Sequence, residues 1–144
     1  PPFAFFYFYF IFANAFRWPT APHDQFFYSA WISWVGVLSC AAALALIFLS
    51  LLSFGRSFRV GIDAEHPDRL VTSGIFGLTR NPMYVAFSLL FLGEFLIKPN
   101  SIFLTYLVAG IALLHRQVLR EEHYLAEHYG EEYRAYCQRV RRYV

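Results

Sequence analysis

Two short stretches of the sequence carry residue types that can do chemistry together. The first is Gly74-Ile75-Phe76-Gly77-Leu78-Thr79-Arg80-Asn81-Pro82-Met83-Tyr84, and the second is Glu121-Glu122. Asn is a favoured helix N-cap and Pro a favoured first helical residue, so Asn81-Pro82 predicts a helix start with Arg80 beside it. A helix N-terminus next to a guanidinium is an anion site. The same pattern also suits an interfacial Arg facing phospholipid headgroups. Gly74 and Gly77 allow close backbone approach to a ligand, or simply turn the chain.

Adjacent residues on a helix point about 100° apart, so Glu121 and Glu122 cannot face one ligand equally. One can receive a cationic group while the other pairs with Arg. The bland alternative is a solvated acidic pair. Gln117 and Leu125, at i±4, leave Glu121 the less obviously paired of the two. His115 lies seven residues before Glu122, on roughly the same helix face, and can line the site or serve as a base. A plain interfacial His fits that position as well. On this shared face, Glu122 is expected to turn toward a bound molecule. Glu94 is an acid inside an apolar run, but Lys98 follows four residues later in the favoured order, which predicts a structural ion pair.

These residues must be positioned by membrane helices. Of 144 residues, 58% are hydrophobic, 21% aromatic and only 15% charged, well below the charged share of about a quarter in soluble domains. Seventeen Phe and ten Tyr would overfill a soluble core of this size, whereas lipid sets no limit on exposed apolar surface. The net charge of +2 is too small for nucleic-acid binding, and the Arg excess reads as a topology signal. Cys40 lies in an apolar run and Cys137 in a charged tail, so no disulfide is expected, and no metal-ligand spacing occurs.

Residues 3–16 are apolar and meet Arg17-Trp18-Pro19, an interfacial anchor and helix stop. That run is short for a span, which needs about 20 helical residues. With no initiator Met, it predicts that an N-terminal piece precedes the sequence. Ala13-Asn14-Ala15 also resembles a signal-peptidase site, though without a basic n-region. Residues 26–54 form the clearest transmembrane helix, with Gly36, Ser39 and Ala41-Ala42-Ala43 offering a face for close helix packing. Residues 55–79 read as a polar surface loop carrying Arg56, Arg59, Asp63, Glu65, His66, Asp68 and Arg69.

Apolar residues 83–97, the turn Lys98-Pro99-Asn100 and apolar residues 101–114 form a helical hairpin. Its second arm continues as helix to a stop at Gly130, and residues 131–140 form a last water-facing helix. Ten of the twelve Lys and Arg residues fall between Arg56 and Arg80 or from Arg116 onward, leaving only Arg17 and Lys98 opposite. The positive-inside rule therefore places the loop before Arg80 and the C-terminus on the cytoplasmic side. The expected fold is an all-α polytopic membrane helix bundle of about four transmembrane helices plus a cytoplasmic C-terminal helix. It forms one domain over residues 1–144: N-terminal helices at 1–54, a loop at 55–80, and the hairpin and tail bearing the site at 81–144.

The ordered combination of Arg80-Asn81-Pro82-x-Tyr84, a hairpin, Glu121-Glu122-x-x-Leu125 and Tyr129-Gly130-x-x-Tyr133 resembles the integral-membrane methyltransferases. These include isoprenylcysteine carboxyl methyltransferases and phospholipid N-methyltransferases. The resemblance covers roughly residues 53–144. It implies S-adenosyl-L-methionine as cofactor in a cytoplasmic-side pocket, with Arg80, Asn81, Tyr84, Glu121, Glu122 and Tyr133 as matching positions. Gly77 and Pro82 join them as binding candidates, and Arg80 and His115 are the candidate catalytic groups. Isoprenylcysteine enzymes usually carry His where this chain has Asn81, and Asn occurs in the phospholipid and bacterial branches.

The residues suit that molecule, which offers a carboxylate for Arg80 or the helix start, an ammonium for a Glu, and an adenine for aromatic faces. The function expected is methyl transfer to a lipid or amphiphilic acceptor: an isoprenylcysteine carboxylate, a phospholipid amine or a small thiol. Its partners are the lipid bilayer and that acceptor, with neither metal nor nucleic acid. Two other readings stay open: a sterol-reductase-like membrane reductase using NADPH, and a small non-enzymatic membrane interaction protein.

Overall fold

A computed structural model of the chain describes residues 2–16, 25–54 and 70–143. The Arg17-Trp18-Pro19 anchor and the charged residues expected in the surface loop from Arg56 to Arg69 lie outside the described residues. Among the described residues the structure is all-helical. Helix α1 spans Pro2–Ala15, α2 Ala30–Phe54, α3 Pro82–Ile97 and α4 Ser101–Arg139, with a 3₁₀ turn at Gly74–Gly77 before α3.

Two of these helices, Ala30–Ser53 and Ser101–Arg139, are long and apolar enough to cross a membrane. Helix α2 is apolar all round and leaves Trp31, Trp34, Leu38, Leu44, Phe48 and Leu52 exposed, which in a bilayer costs nothing. At 1.5 Å per residue it is about 37 Å long, enough for a hydrocarbon core of about 30 Å. Helix α3, with 16 residues, is shorter at about 24 Å.

Helices α2 and α3 meet over small residues. A Cβ on Gly36 would lie 2.7 Å from the Gly93 carbonyl oxygen, and one on Gly93 would lie 2.5 Å from Cys40 Sγ. Ser39 Oγ donates to the Leu89 carbonyl at 2.8 Å, and Ala43 is fully buried. Lipid provides no hydrophobic drive between helices, so this backbone approach and the hydrogen bond hold the pair. Helix α1 docks through Tyr7, whose ring packs edge-on to Phe91 of α3 and Tyr106 of α4 with centroids 5.4 and 5.2 Å away.

The α3–α4 turn is closed by Asn100, which is 1% exposed and whose side chain accepts from the Phe103 N–H at 3.0 Å as the α4 N-cap. Gly130 takes φ +52 and ψ −120, outside the helical range, so α4 is two helices joined across a kink there. The helix stop expected at Gly130 is thus present, and the last helix expected beyond it runs on from the kink to Arg139. The last residues then run back beside the entry to α3. Thr79 and Arg141 form a parallel bridge, and the Arg80 N–H donates to the Arg141 carbonyl at 3.0 Å.

Candidate functional site

The entry to α3 is fixed from two sides. Gly74 has φ +63, and a Cβ there would meet Ser53 Oγ at 2.5 Å, while Ser53 Oγ accepts from the Ile75 N–H at 3.2 Å. The 3₁₀ turn is thereby held against the end of α2. From the other side, Tyr136 of α4 donates to the Phe76 carbonyl at 2.7 Å, and Tyr133, Tyr136 and Val140 form a buried cluster. Gly77 sits exposed on this turn with ordinary room for a Cβ, and does not join the charged cluster.

Pro82 begins α3 as expected and is fully buried. Asn81 occupies the N-cap position, but its side chain makes no cap hydrogen bond. Its amide instead donates to Glu122 Oε1 at 3.2 Å and to the Arg142 carbonyl at 3.1 Å. Capping would need its Oδ1 to accept from an α3 N–H, and the orientation that brings Nδ2 to the carboxylate and the Arg142 carbonyl does not present Oδ1 there.

Glu122 is the centre of the site. Arg80 Nη1 lies 3.3 Å from its Oε1, while Arg142 reaches Oε2 through Nη2 at 2.8 Å and Nε at 2.9 Å. Arg80 also donates to the Cys137 sulfur, and its Nε is buried without a hydrogen-bond partner among the described residues. The bond from Glu122 holds the Arg142 guanidinium still further above its ordinary range. Cys137 and Cys40 are both free.

Glu121 points elsewhere, as two carboxylates about 100° apart must. Its Oε1 accepts from the Tyr84 hydroxyl and from Gln117 Nε2, the latter at 3.0 Å. Glu121, expected to be the less paired of the two, is therefore engaged as well. His115 lies on the Glu122 side of α4, with its Nδ1 2.7 Å from the Tyr143 hydroxyl. Burial pushes the Tyr143 phenol above its ordinary range. Tyr133 lies buried beneath the charged cluster, packed with Cys137.

A groove of 610 Å³ opens beside this cluster between α3 and α4. Its walls are Val85, Leu89, Leu92, Leu107, Ile111 and Leu114, and Tyr84, Ser88, His115 and Tyr143 supply its polar groups. An apolar trough with polar groups at its charged end suits an amphiphile.

Glu94 does not pair with Lys98. Its carboxylate accepts from the Tyr7 hydroxyl at 2.6 Å, and no ion pair joins it to Lys98 among the described residues. A half-buried carboxylate gains more from a donor that arrives already buried than from an ammonium that can reach water. Arg142, Tyr143 and Cys137 are the residues of the site that sequence reasoning missed. A run of Arg in a C-terminal tail reads as topology, and its pairing with Glu122 leaves no local pattern.

A family model described as phospholipid methyltransferase matches residues 31–132. The chain is 30% identical over 113 residues to protein-S-isoprenylcysteine O-methyltransferase B of Arabidopsis thaliana, covering 76% of this chain and 57% of that protein. A probable protein-S-isoprenylcysteine O-methyltransferase of Oryza sativa subsp. indica is 29% identical, with 76% and 59% covered. The corresponding Xenopus laevis protein is 27% identical, with 76% and 39% covered. The chain thus spans somewhat over half the length of the two plant relatives. No solved structure matches it.

Proposed function

The chain belongs to the phospholipid methyltransferase family, and from that premise we propose that it transfers a methyl group from S-adenosyl-L-methionine to a lipid or lipid-modified acceptor at the cytoplasmic face of a membrane. The observation that carries this reading is the junction of the Arg80–Glu122–Arg142 cluster with the apolar groove between α3 and α4. Two guanidinium groups and two carboxylates, Glu121 and Glu122, suit the zwitterionic amino-acid end of that donor. The buried, unpartnered Arg80 Nε is the kind of group a carboxylate would satisfy.

We assign the roles accordingly. Arg80 binds the donor's carboxylate. Glu122, whose two oxygens are both taken by protein groups, orients Arg80, and Glu121 receives the ammonium on the oxygen that Tyr84 and Gln117 leave open. Pro82 fixes the start of α3, Gly77 belongs to the exposed turn that leads into it, and Tyr133 supports the cluster from below. When bound, the donor supplies a sulfonium methyl group for in-line displacement.

The protein's part is to hold an acceptor near attack distance and keep water out. The groove takes the acceptor's apolar body and leaves its reactive head beside His115 and Tyr143. If the acceptor is an amine, His115 accepts its proton at Nε2, with Nδ1–H donating to Tyr143 Oη. A carboxylate or thiolate acceptor needs no such base. The domain is read as single and multi-pass, with Arg80, Arg141 and Arg142 gathered at one end of α3 and Lys98 at the other, which favours a cytoplasmic site under the positive-inside rule.

Calorimetric titration of the detergent-solubilised protein with S-adenosylhomocysteine tests the reading, with Arg80→Ala and NADPH titrations beside it. Saturable binding that Arg80→Ala abolishes is the expected result. No binding, or binding of NADPH in its place, overturns it.

A further inference from the structure

We infer that Arg142 is a positioning residue of the donor site, which keeps Arg80 available to an anion by occupying the other oxygen of Glu122. The inference rests on the reading above that Arg80 takes the donor's carboxylate. Arg142 acts through both backbone and side chain. Its carbonyl accepts from Asn81 Nδ2 at 3.1 Å and from Thr79 Oγ1 at 3.3 Å, which pins the extended C-terminal segment to the entry of α3. Its guanidinium then places two N–H donors on Glu122 Oε2, at 2.8 and 2.9 Å.

The consequence for Arg80 follows from the geometry of a carboxylate. A free Glu122 would take a guanidinium bidentately, one N–H to each oxygen, the strongest arrangement open to the pair. With Oε2 filled by Arg142 and Oε1 shared with Asn81 Nδ2, Arg80 reaches only Oε1, at 3.3 Å and through Nη1 alone. Its Nε is left buried and unbonded among the described residues. Two guanidinium groups on one carboxylate also leave a net positive charge. Without Arg142, Arg80 would close onto both oxygens of Glu122, and both the spare donor and the spare charge would be lost to a ligand.

Arg141, the residue before Arg142, has an exposed side chain and meets Arg80 through its backbone carbonyl, so its side chain serves as a control of equal charge on the same segment. The experiment is calorimetric titration of S-adenosylhomocysteine into the wild type, Arg142→Ala, Arg142→Lys and Arg141→Ala in detergent, with the ligand-free thermal midpoint of each. Arg142→Ala is expected to raise Kd about 10-fold or more, as loss of an orienting partner does at other ligand sites. Arg142→Lys, which keeps the charge but loses the fork, should recover part of that loss. Arg141→Ala, which keeps the backbone contact with Arg80, should stay within about 2-fold of the wild type.

An Arg142→Ala protein that folds and binds as tightly as the wild type overturns the inference. So does an Arg141→Ala loss equal to that of Arg142→Ala, which would mean only that positive charge on the tail matters. Should Arg142→Ala fail to fold, Arg142→Lys and Arg142→Gln decide in its place, and wild-type affinity in both overturns it. A wild type that does not bind overturns the functional reading itself, and this inference with it.

Discussion

Arg80, in the bend that leads into α3, and Glu122, on α4, meet at 3.3 Å with side chains only 12% and 11% exposed. An ion pair this far from water is costly to break, because the survivor keeps its charge and loses its partner. Glu122→Gln strands two guanidinium groups. It is expected to cost about 3 kcal/mol in thermal or denaturant unfolding in detergent, and to abolish S-adenosylhomocysteine binding. Glu121→Gln keeps an acceptor for Tyr84 and should cost under about 1 kcal/mol while still weakening binding. The reverse order of stability losses would show that Glu121 holds the cluster together.

His115 separates the possible acceptors. With Nδ1 engaged by Tyr143, its remaining nitrogen can take a proton from an amine head. His115→Ala should slow methyl transfer to phosphatidylethanolamine by about 100-fold, the usual worth of a general base, and leave transfer to a farnesylcysteine carboxylate nearly unchanged. Comparing initial rates on both acceptors checks this, and equal losses on both would remove the base assignment.

The parts of the fold legible in the sequence were those set by local rules. Pro82 and Asn100 mark helix starts that the structure keeps, and the small residues Gly36 and Ser39 mark a close helix contact. What misled were patterns with a better partner far along the chain. Asn81 sits at the N-cap as its type predicts, but its side chain turns Nδ2 to Glu122 and the Arg142 carbonyl instead of capping with Oδ1. Glu94 has Lys98 in the favoured register, but Tyr7 reaches it from α1. Arg142 gives no local signal, since nothing in a C-terminal Arg distinguishes a topology charge from the second partner of a buried acid. Arg80, Glu121 and Glu122 are legible because they flank predicted membrane segments, while which of the two acids meets Arg80 depends on helix phase that spacing leaves open.

The Tyr7–Glu94 bond makes an unusually direct test of that lesson. Tyr7→Phe leaves a half-buried carboxylate without its donor and should cost about 1–3 kcal/mol, whereas Lys98→Ala should cost next to nothing. Glu94→Gln can still accept from Tyr7 and should be milder than Tyr7→Phe. Unfolding midpoints in detergent report all three, and a Lys98→Ala loss matching that of Tyr7→Phe would restore the local ion pair.

Two glycines should respond to alanine for different reasons. At Gly93 a Cβ meets Cys40 Sγ at 2.5 Å and the Gly36 carbonyl at 2.7 Å, and the second of these is backbone that cannot rotate away. Helices α2 and α3 would have to separate, stretching the Ser39–Leu89 hydrogen bond, so Gly93→Ala should cost about 1–3 kcal/mol, as overpacking does elsewhere. At Gly130 a Cβ would meet nothing within 4 Å, and the cost lies only in the positive φ of +52. Gly130→Ala should cost about 1–3 kcal/mol, and Gly130→Asn about as much, since ψ −120 lies outside the left-handed helical region that Asn tolerates. Shrinking the obstacle gives the decisive comparison. Adding Cys40→Ala should return part of the Gly93→Ala loss and none of the Gly130→Ala loss, and a double-mutant cycle on unfolding free energies reads that coupling directly. Zero coupling between positions 40 and 93 would mean that the two helices do not approach as closely as their small residues allow.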